Sequence, residues 1–192
     1  GLWTLLRFAV DKKNQLFEPQ SFHFEFLEQT LLPLIKKNIQ LQLDAGVEIV
    51  MIFDSGLGDL HSDLFKDKYI SLIENLANSF PKKLGYYCKG RSQEEVKLIS
   101  NFCFAGLGID HNLNIVDFLS NNNKGFIQGN FDESKLLMNE SDLSKEINLY
   151  CDQIQNYGSI KGWVCGLGHG INKLTPEKNV HLFIDIIRKR FK

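Results

Sequence analysis

The sequence predicts an α/β fold built on a parallel sheet. Short apolar runs rich in β-branched and aromatic residues alternate with longer amphipathic stretches of helical period, and the alternation repeats five times. The chain has 192 residues with 43% hydrophobic content, enough for a sizeable core. No linker, low-complexity tract or tandem repeat divides it, so one domain over residues 1–192 is expected. Periodicity alone does not separate an open doubly wound sheet from part of an eight-stranded barrel.

The elements follow in order. Across residues 19–45, Phe22, Phe26, Leu27, Leu31, Leu34 and Ile35 recur at helical spacing, and Gly46 closes that helix. Residues 47–53 form a nearly continuous apolar run, which reads as a strand covered on both faces. Ser62 is the expected N-cap of the next helix, with Asp63 in its first turn and Phe65, Tyr69, Leu72, Ile73 and Leu76 on one face. Residues 83–88 read as a strand, 93–102 as a helix, 104–109 as a strand, 115–120 as a short helix and 125–128 as a strand. The polar run from Asn121 to Asn123 reads as a helix-terminating loop. Residues 141–157 read as a helix and 160–165 as the fifth strand. In the last helix, Thr175 is the expected cap and Pro176 sits in the first turn. Val180, Phe183, Ile184, Ile187 and Phe191 form its stripe.

Charge excludes some classes of partner. Lys plus Arg number 22 against 23 Asp plus Glu, so no basic stripe points to nucleic acid and no polybasic segment to a membrane surface. Arg188, Lys189, Arg190 and Lys192 end the last helix, where cations suit its dipole. Cys88, Cys103, Cys151 and Cys165 lack metal-type or disulfide-type spacing and fit reduced thiols in a cytoplasmic protein. No apolar run of about 18 residues spans a membrane. The chain opens at Gly1 without a methionine, and a preceding N-terminal segment is expected.

Four segments carry the chemistry-bearing residues: Trp3-Thr4-Leu5, Phe53-Asp54-Ser55-Gly56, Gln128-Gly129-Asn130-Phe131-Asp132, and Gly166-Leu167-Gly168-His169-Gly170-Ile171 followed by Thr175-Pro176. In a βα architecture the loops after strands face the ligand. Taken alone, Ser55 is a turn residue as readily as a functional one. His169 between glycines is the stronger candidate, because such flanks pack poorly. Asp54 is expected to solvate the mouth of the site. Asp110 is expected to support the ligand face or cap the following helix, and Gln128 and Asn130 to hydrogen-bond near the rim. His23, His61 and His181 have no matching ligand partners in the sequence. A Ser-His-Asp hydrolase is rejected, since Ser55 follows Phe53-Asp54 and lacks the Gly-x-Ser-x-Gly elbow.

In order and spacing, these segments resemble the uroporphyrinogen decarboxylase family from Trp3 essentially to Lys192. That family shows Gly-x-Pro-Trp-Thr-Leu, Phe-(Asp/Glu)-Ser, Gly-(Leu/Ile)-Asp-Trp, Gln-Gly-Asn-Leu-Asp-Pro and Gly-His-Gly-Ile. This chain has Gly108-Ile109-Asp110 in the third position. It departs by lacking proline between Gly1 and Trp3, and by Phe8 where a tyrosine is usual. His111 stands where tryptophan is usual, and Glu133 where proline is. Phe8 keeps the ring and lacks the hydroxyl donor.

The resemblance implies the C-terminal portion of a (β/α)8 TIM barrel, with about five βα units present. It also implies a carboxy-lyase that decarboxylates the four acetate side chains of uroporphyrinogen III to give coproporphyrinogen III. No metal and no cofactor are implied, and the full-length enzyme is expected to be a cytoplasmic homodimer. Ser55 matches the family's substrate-contacting serine and His169 the histidine that meets a carboxylate arm. Phe8 matches the tyrosine position, and Phe53 lines the pocket against the flat tetrapyrrole. The aspartate that binds the pyrrole nitrogens and the arginine-rich segment that binds carboxylates lie ahead of Gly1. No catalytic residue is therefore assigned within these residues, and the fragment alone is expected to be inactive, and to be unstable or associate unless the missing strands are supplied.

Two rivals stand beside this reading. The first is a cobalamin- or thiol-linked methyltransferase of the same superfamily, which carries zinc on a His-x-Cys pair and a later Cys. Cys88 falls at the cysteine of that pair, but Tyr86 stands where its histidine belongs and His169 where the later cysteine belongs. The second is a non-catalytic tetrapyrrole-binding paralogue or plain structural fragment. Phe8, His111 and Glu133 are the signs of such decay.

Overall fold

The computed structural model describes residues 1–10, 17–121 and 125–192. Its class is α/β, as expected. Five strands form one sheet in the order β1 (Val50–Asp54), β2 (Leu84–Cys88), β3 (Gly106–Gly108), β4 (Phe126–Phe131) and β5 (Trp163–Leu167). The β1–β2 pair is parallel, with Val50 opposite Leu84 and Asp54 opposite Cys88. The β4–β5 pair is parallel too, with Ile127 opposite Trp163 and Phe131 opposite Leu167. Successive parallel neighbours in chain order are what consecutive strands of a (β/α)8 barrel display. No helix among the described residues is long and apolar enough to cross a membrane. The chain forms two compact units, Gly1–Leu107 and Gly108–Lys192.

The first unit begins with α1 (Leu2–Val10), a helix for which the sequence reading had no element. Next, α2 (Ser21–Phe26) passes through a wide π-type turn at Leu27–Leu31 into α3 (Leu32–Asp44). A π turn adds a residue to the helical repeat and so rotates the buried face. The stripe that packs inward is His23, Leu27, Leu31, Leu32 and Ile39, whereas Phe22, Phe26 and Leu34 of the expected face are exposed. The helix closes at Gly46, whose amide donates to the Leu43 carbonyl (3.0 Å).

The strand expected at 47–53 starts at Val50, because Val47 and Ile49 are solvent-exposed. It is buried on one face through Val50, Ile52 and Asp54, while Phe53 on the other face is 53% exposed. The helix after β1 is α4 (Ser62–Leu64), a wide turn at Phe65–Tyr69 and α5 (Ile70–Ser79). Its cap is His61, whose Nδ1 accepts from the Asp63 amide (3.4 Å), and Ser62 is already helical. Strand β2 is buried throughout. Ser92 and Glu95 form a reciprocal capping box at α6 (Gln93–Ser100).

In the second unit, α7 (Ile115–Asn121) begins at Asn114, whose Oδ1 accepts from the Val116 amide (3.0 Å). Asn121 ends this helix, while Asn122 and Asn123 of the polar run lie outside the described residues. Strand β4 runs three residues further than 128, through the Gln-Gly-Asn-Phe segment. A 3₁₀ turn at Glu133–Leu137 leads to α8 (Glu140–Tyr157), which Asn139 caps by accepting from the Asp142 amide (3.0 Å). After β5 comes α9 (Glu177–Arg190), with Pro176 rather than Thr175 at its cap position. Thr175 Oγ1 is buried and makes no capping bond, since the Asn179 amide donates to the Pro176 carbonyl instead. Of the expected stripe, Phe183 is the buried member, packed 5.1 Å from the Phe131 ring, and Ile184 is exposed. Arg190 ties α9 to α8 through Asn148 (2.9 Å) and Asp152.

Candidate functional site

In the first unit, two of the sequence segments meet at Asp54. This carboxylate is fully buried at the C-terminal end of β1, so the expectation that it solvates the mouth of a site is corrected. A buried carboxylate needs partners, and four donors converge on it. The Thr4 amide and hydroxyl each donate to Oδ1 at 2.8 Å. The Tyr86 hydroxyl donates to Oδ2 at 2.9 Å, and the Tyr69 hydroxyl donates to the same oxygen. Tyr69 in turn accepts from the Trp3 amide (2.8 Å), and its ring meets Trp3 edge-on at 5.8 Å. Burial first, and then the Asp54 charge, holds both tyrosine hydroxyls well above the ordinary tyrosine range.

The network fixes the turn that carries Ser55. Thr4 Oγ1 donates to Asp54 and also accepts from the Gly56 amide (3.0 Å), so the residues on either side of Ser55 are both anchored to α1. Ser55 itself is half-buried immediately after β1. Phe53 packs 5.7 Å from Tyr87 and presents its exposed ring beside that turn. Phe8 lies on α1 and is 79% exposed. Beyond the turn, Arg91 and Glu95 form a buried pair at 3.5 Å, and Arg91 donates to the carbonyls of Gly58 (3.2 Å) and Leu60 (2.6 Å). The sequence reading gave Tyr69 to a helix face, weighed Tyr86 against a zinc histidine and passed over Arg91, so none was named as a partner here. The available signal was an acidic residue ending an apolar strand, which demands donors without saying where they are.

In the second unit, the Gln-Gly-Asn-Phe-Asp and Gly-His-Gly segments meet. Asn130 is buried, and its amide donates to the carbonyls of Asp110 (2.8 Å) and Leu113 (2.7 Å), the hydrogen-bonding role expected of it. Asp110 is fully buried and accepts from the Asn112 amide (3.0 Å), which fixes the loop, while Asn114 caps the helix. Gly129 has φ +140°, and a Cβ there would lie 2.8 Å from the Ile109 carbonyl oxygen, so only glycine fits. The Gly168 amide donates to the Phe131 carbonyl (2.7 Å), and a Cβ on Gly168 would stand 2.6 Å from the His111 amide nitrogen. His169 follows β5 on that turn, half-buried, with Nδ1 3.3 Å from the Gly170 carbonyl.

Two departures from the motif pattern turn out to be partners. His111 Nδ1 lies 3.3 Å from Glu133 Oε2, with Asp132 beside them. The two departures, expected as signs of decay when read alone, thus lie in contact. Asp132 caps the 3₁₀ turn by accepting from the Ser134 amide (2.9 Å) and hydroxyl (2.7 Å). Burial would raise its carboxyl, but Ser134, with His111 and Lys135 nearby, holds it below the usual range. A cavity of about 260 Å³ opens beside this cluster, lined by His111, Asp132, Asn130 and the Lys135–Glu146 ion pair (2.6 Å).

The remaining histidines fill the core or lie on the surface. His23 is buried against Phe22, with a ring separation of 3.9 Å, and accepts from the Gln20 amide (2.9 Å). His61 and His181 are exposed, beside Asp63 and Glu177. Tyr86 spends its hydroxyl on Asp54, and Cys88 belongs to no metal-holding group among the described residues. The zinc site of a methyltransferase therefore finds no support at Tyr86 and Cys88. None of the four cysteines forms a disulfide.

The family model described as uroporphyrinogen decarboxylase (URO-D) matches residues 8–190. The uroporphyrinogen decarboxylase of Orientia tsutsugamushi (strain Ikeda) is 27% identical, over 98% of this chain and 58% of its own length. That of Wolbachia sp. subsp. Brugia malayi is 22% identical, over 99% and 56%. That of Pectobacterium atrosepticum is 25% identical, over 95% and 52%. The chain thus spans just over half the length of these curated relatives.

Proposed function

The chain belongs to the uroporphyrinogen decarboxylase family, and from that membership we propose that residues 1–192 form one domain, the C-terminal part of a barrel that removes the four acetate carboxyls of uroporphyrinogen III to give coproporphyrinogen III. The observation that carries the reading is the match over residues 8–190, which takes in the Phe-Asp-Ser, Gln-Gly-Asn and Gly-His-Gly segments. It is supported by the positions of Ser55, directly after β1, and His169, two residues after β5, at the C-terminal ends of parallel strands, where barrel enzymes place their chemistry.

The reaction divides into tasks that side chains can perform. Protonating a pyrrole carbon makes the ring an electron sink, and the acetate arm then loses carbon dioxide. The protein binds a polyanion, stabilises a cationic ring and delivers a proton. Ser55 donates its hydroxyl to a substrate carboxylate, and His169 meets another carboxylate arm. Phe53 and Phe8 offer exposed aromatic faces to the flat macrocycle. The groups that bind the pyrrole nitrogens and most of the carboxylates are supplied from outside residues 1–192, so these residues alone do not turn over substrate. The whole enzyme works as a homodimer in the cytoplasm.

The test is an assay of the whole protein that contains this chain, following coproporphyrinogen formation without added metal or cofactor. Ser55→Ala and His169→Ala each lower kcat/KM by about tenfold or more, the loss of one substrate-directed hydrogen bond to a charged group. Full activity in both variants refutes the site assignment. Turnover by residues 1–192 alone refutes the division of labour.

A further inference from the structure

We infer that His111, Asp132 and Glu133 form a binding site for one divalent transition-metal ion of the zinc type, separate from the decarboxylation chemistry proposed above. One imidazole and two carboxylates are the donors such ions take. The three residues each offer a ligand atom, and those atoms all lie within 4.8 Å of one another. Metal–nitrogen and metal–oxygen bonds of about 2.0–2.2 Å place tetrahedral ligands about 3.4 Å apart. The His111–Glu133 separation of 3.3 Å already equals that edge. Asp132 completes the set with a side-chain adjustment of about 1.4 Å at most.

The backbone under the donors is tied down by hydrogen bonds and close packing. Asn130 clamps the loop that carries His111 through the Asp110 and Leu113 carbonyls. Gly168 packs its backbone against the His111 amide. Asn179 holds the far end of the 3₁₀ turn that carries Glu133, donating to the carbonyls of Leu136 (2.8 Å) and Met138 (2.9 Å). A set of donors fixed by such supporting bonds needs little reorganisation on binding. The side chains of His111 and Glu133 keep 27% and 13% of their exposure, and the cavity lined by His111 and Asp132 leaves room for an ion and a bound water. Two carboxylates and one imidazole are a donor set suited to a divalent cation. The competing account is a plain imidazolium–carboxylate pair with no ion.

The whole protein that contains this chain is stripped with chelator and titrated with Co²⁺ and with Zn²⁺ by calorimetry and absorption. One equivalent binds per chain, Co²⁺ gives visible ligand-field bands without the charge-transfer absorption of a thiolate ligand, and the melting temperature rises. His111→Ala and Glu133→Gln each weaken binding by roughly tenfold or more, while His61→Ala and His181→Ala do not. In the unmodified chain, Zn²⁺ shifts the imidazole nitrogen resonances of His111 and leaves those of His23 in place, which keeps the test decisive if a variant folds poorly. Absence of stoichiometric binding overturns the inference. So does an equivalent of metal that leaves the His111 resonances unmoved. Because the readout is binding, either outcome leaves the decarboxylase reading standing.

Discussion

Asp54→Asn tests the frame that holds Ser55. The carboxylate takes four hydrogen bonds, two from Thr4 on one oxygen and two from tyrosine hydroxyls on the other. Asparagine keeps one acceptor oxygen and presents an NH₂ donor in place of the second. With its oxygen toward Thr4, the amide nitrogen faces the hydroxyl hydrogens of Tyr69 and Tyr86. Tyr69 cannot simply reverse, because its oxygen already accepts from the Trp3 amide. Hydrogen bonds to a charged acceptor contribute about 1.5–3 kcal/mol each. Losing both tyrosine bonds therefore costs about 3 kcal/mol at the low end of that range. For a chain of this size the melting temperature falls by roughly 6–12 °C. Urea unfolding followed by circular dichroism reads the change as a lower midpoint at constant slope. Thr4→Val removes the hydroxyl that links Asp54 to Gly56, and its coupling to Asp54→Asn in a double-mutant cycle is about 1 kcal/mol or more. An Asp54→Asn midpoint within about 0.5 kcal/mol of the parent, or strict additivity with Thr4→Val, refutes the reasoning.

Three further outcomes follow from the same geometry. Gly168→Ala drives a methyl against the His111 backbone nitrogen, which cannot swing away, so stability drops by about 1–3 kcal/mol; an unchanged melting curve counts against this. Burial first, then the neighbouring Cys151, pushes the Cys165 thiol from its ordinary 9.0 up to about 12, and burial raises Tyr69, Tyr86 and Tyr150 as well. A group whose folded-state pKa is raised stabilises the fold fully below its unfolded value and loses that contribution as pH climbs through the folded one. Urea midpoints are therefore to decline as pH rises above 9.0 toward about 12, and a flat profile speaks against it. Cys103 is exposed, Cys88 and Cys151 are buried, and half-buried Cys165 has its thiol raised to about 12, so a thiol reagent at mild alkaline pH labels one site quickly; two fast equivalents contradict the assignment.

Much of the fold was readable because the signals were local. The run read at 83–88 became β2, and the stretch read as a helix at 93–102 became α6. The helix read at 141–157 is α8 (Glu140–Tyr157), one residue longer at its start. Readings failed where the deciding partner was distant. Asp54 looked like a solvated acid because its tyrosines stand 15 and 32 residues further along the chain. Burial of one face of β1 was hidden because an apolar run does not say which face is covered. The helical face at 21–44 was misplaced because the wide turn at Leu27–Leu31 breaks the period that periodicity arguments assume.

The segments that reveal the family are largely statements about backbone. Thr4 and Asp54 hold the turn around Ser55, Asn130 clamps the loop after β3, and Gly129 and Gly168 permit approaches that a Cβ would block. None of these five needs to touch a substrate to matter. Ser55 and His169 each sit on a turn whose shape the framework residues set, so mutating the framework changes where a chemical group points rather than what it can do. The two kinds of residue separate kinetically. Ser55→Ala leaves unfolding unchanged while lowering turnover in the whole enzyme, because it deletes a group from an intact turn. Thr4→Val lowers stability and turnover together, because it loosens the turn itself. If Ser55→Ala proved as destabilising as Thr4→Val, the serine would belong to the framework and its proposed contact with substrate would lose its basis.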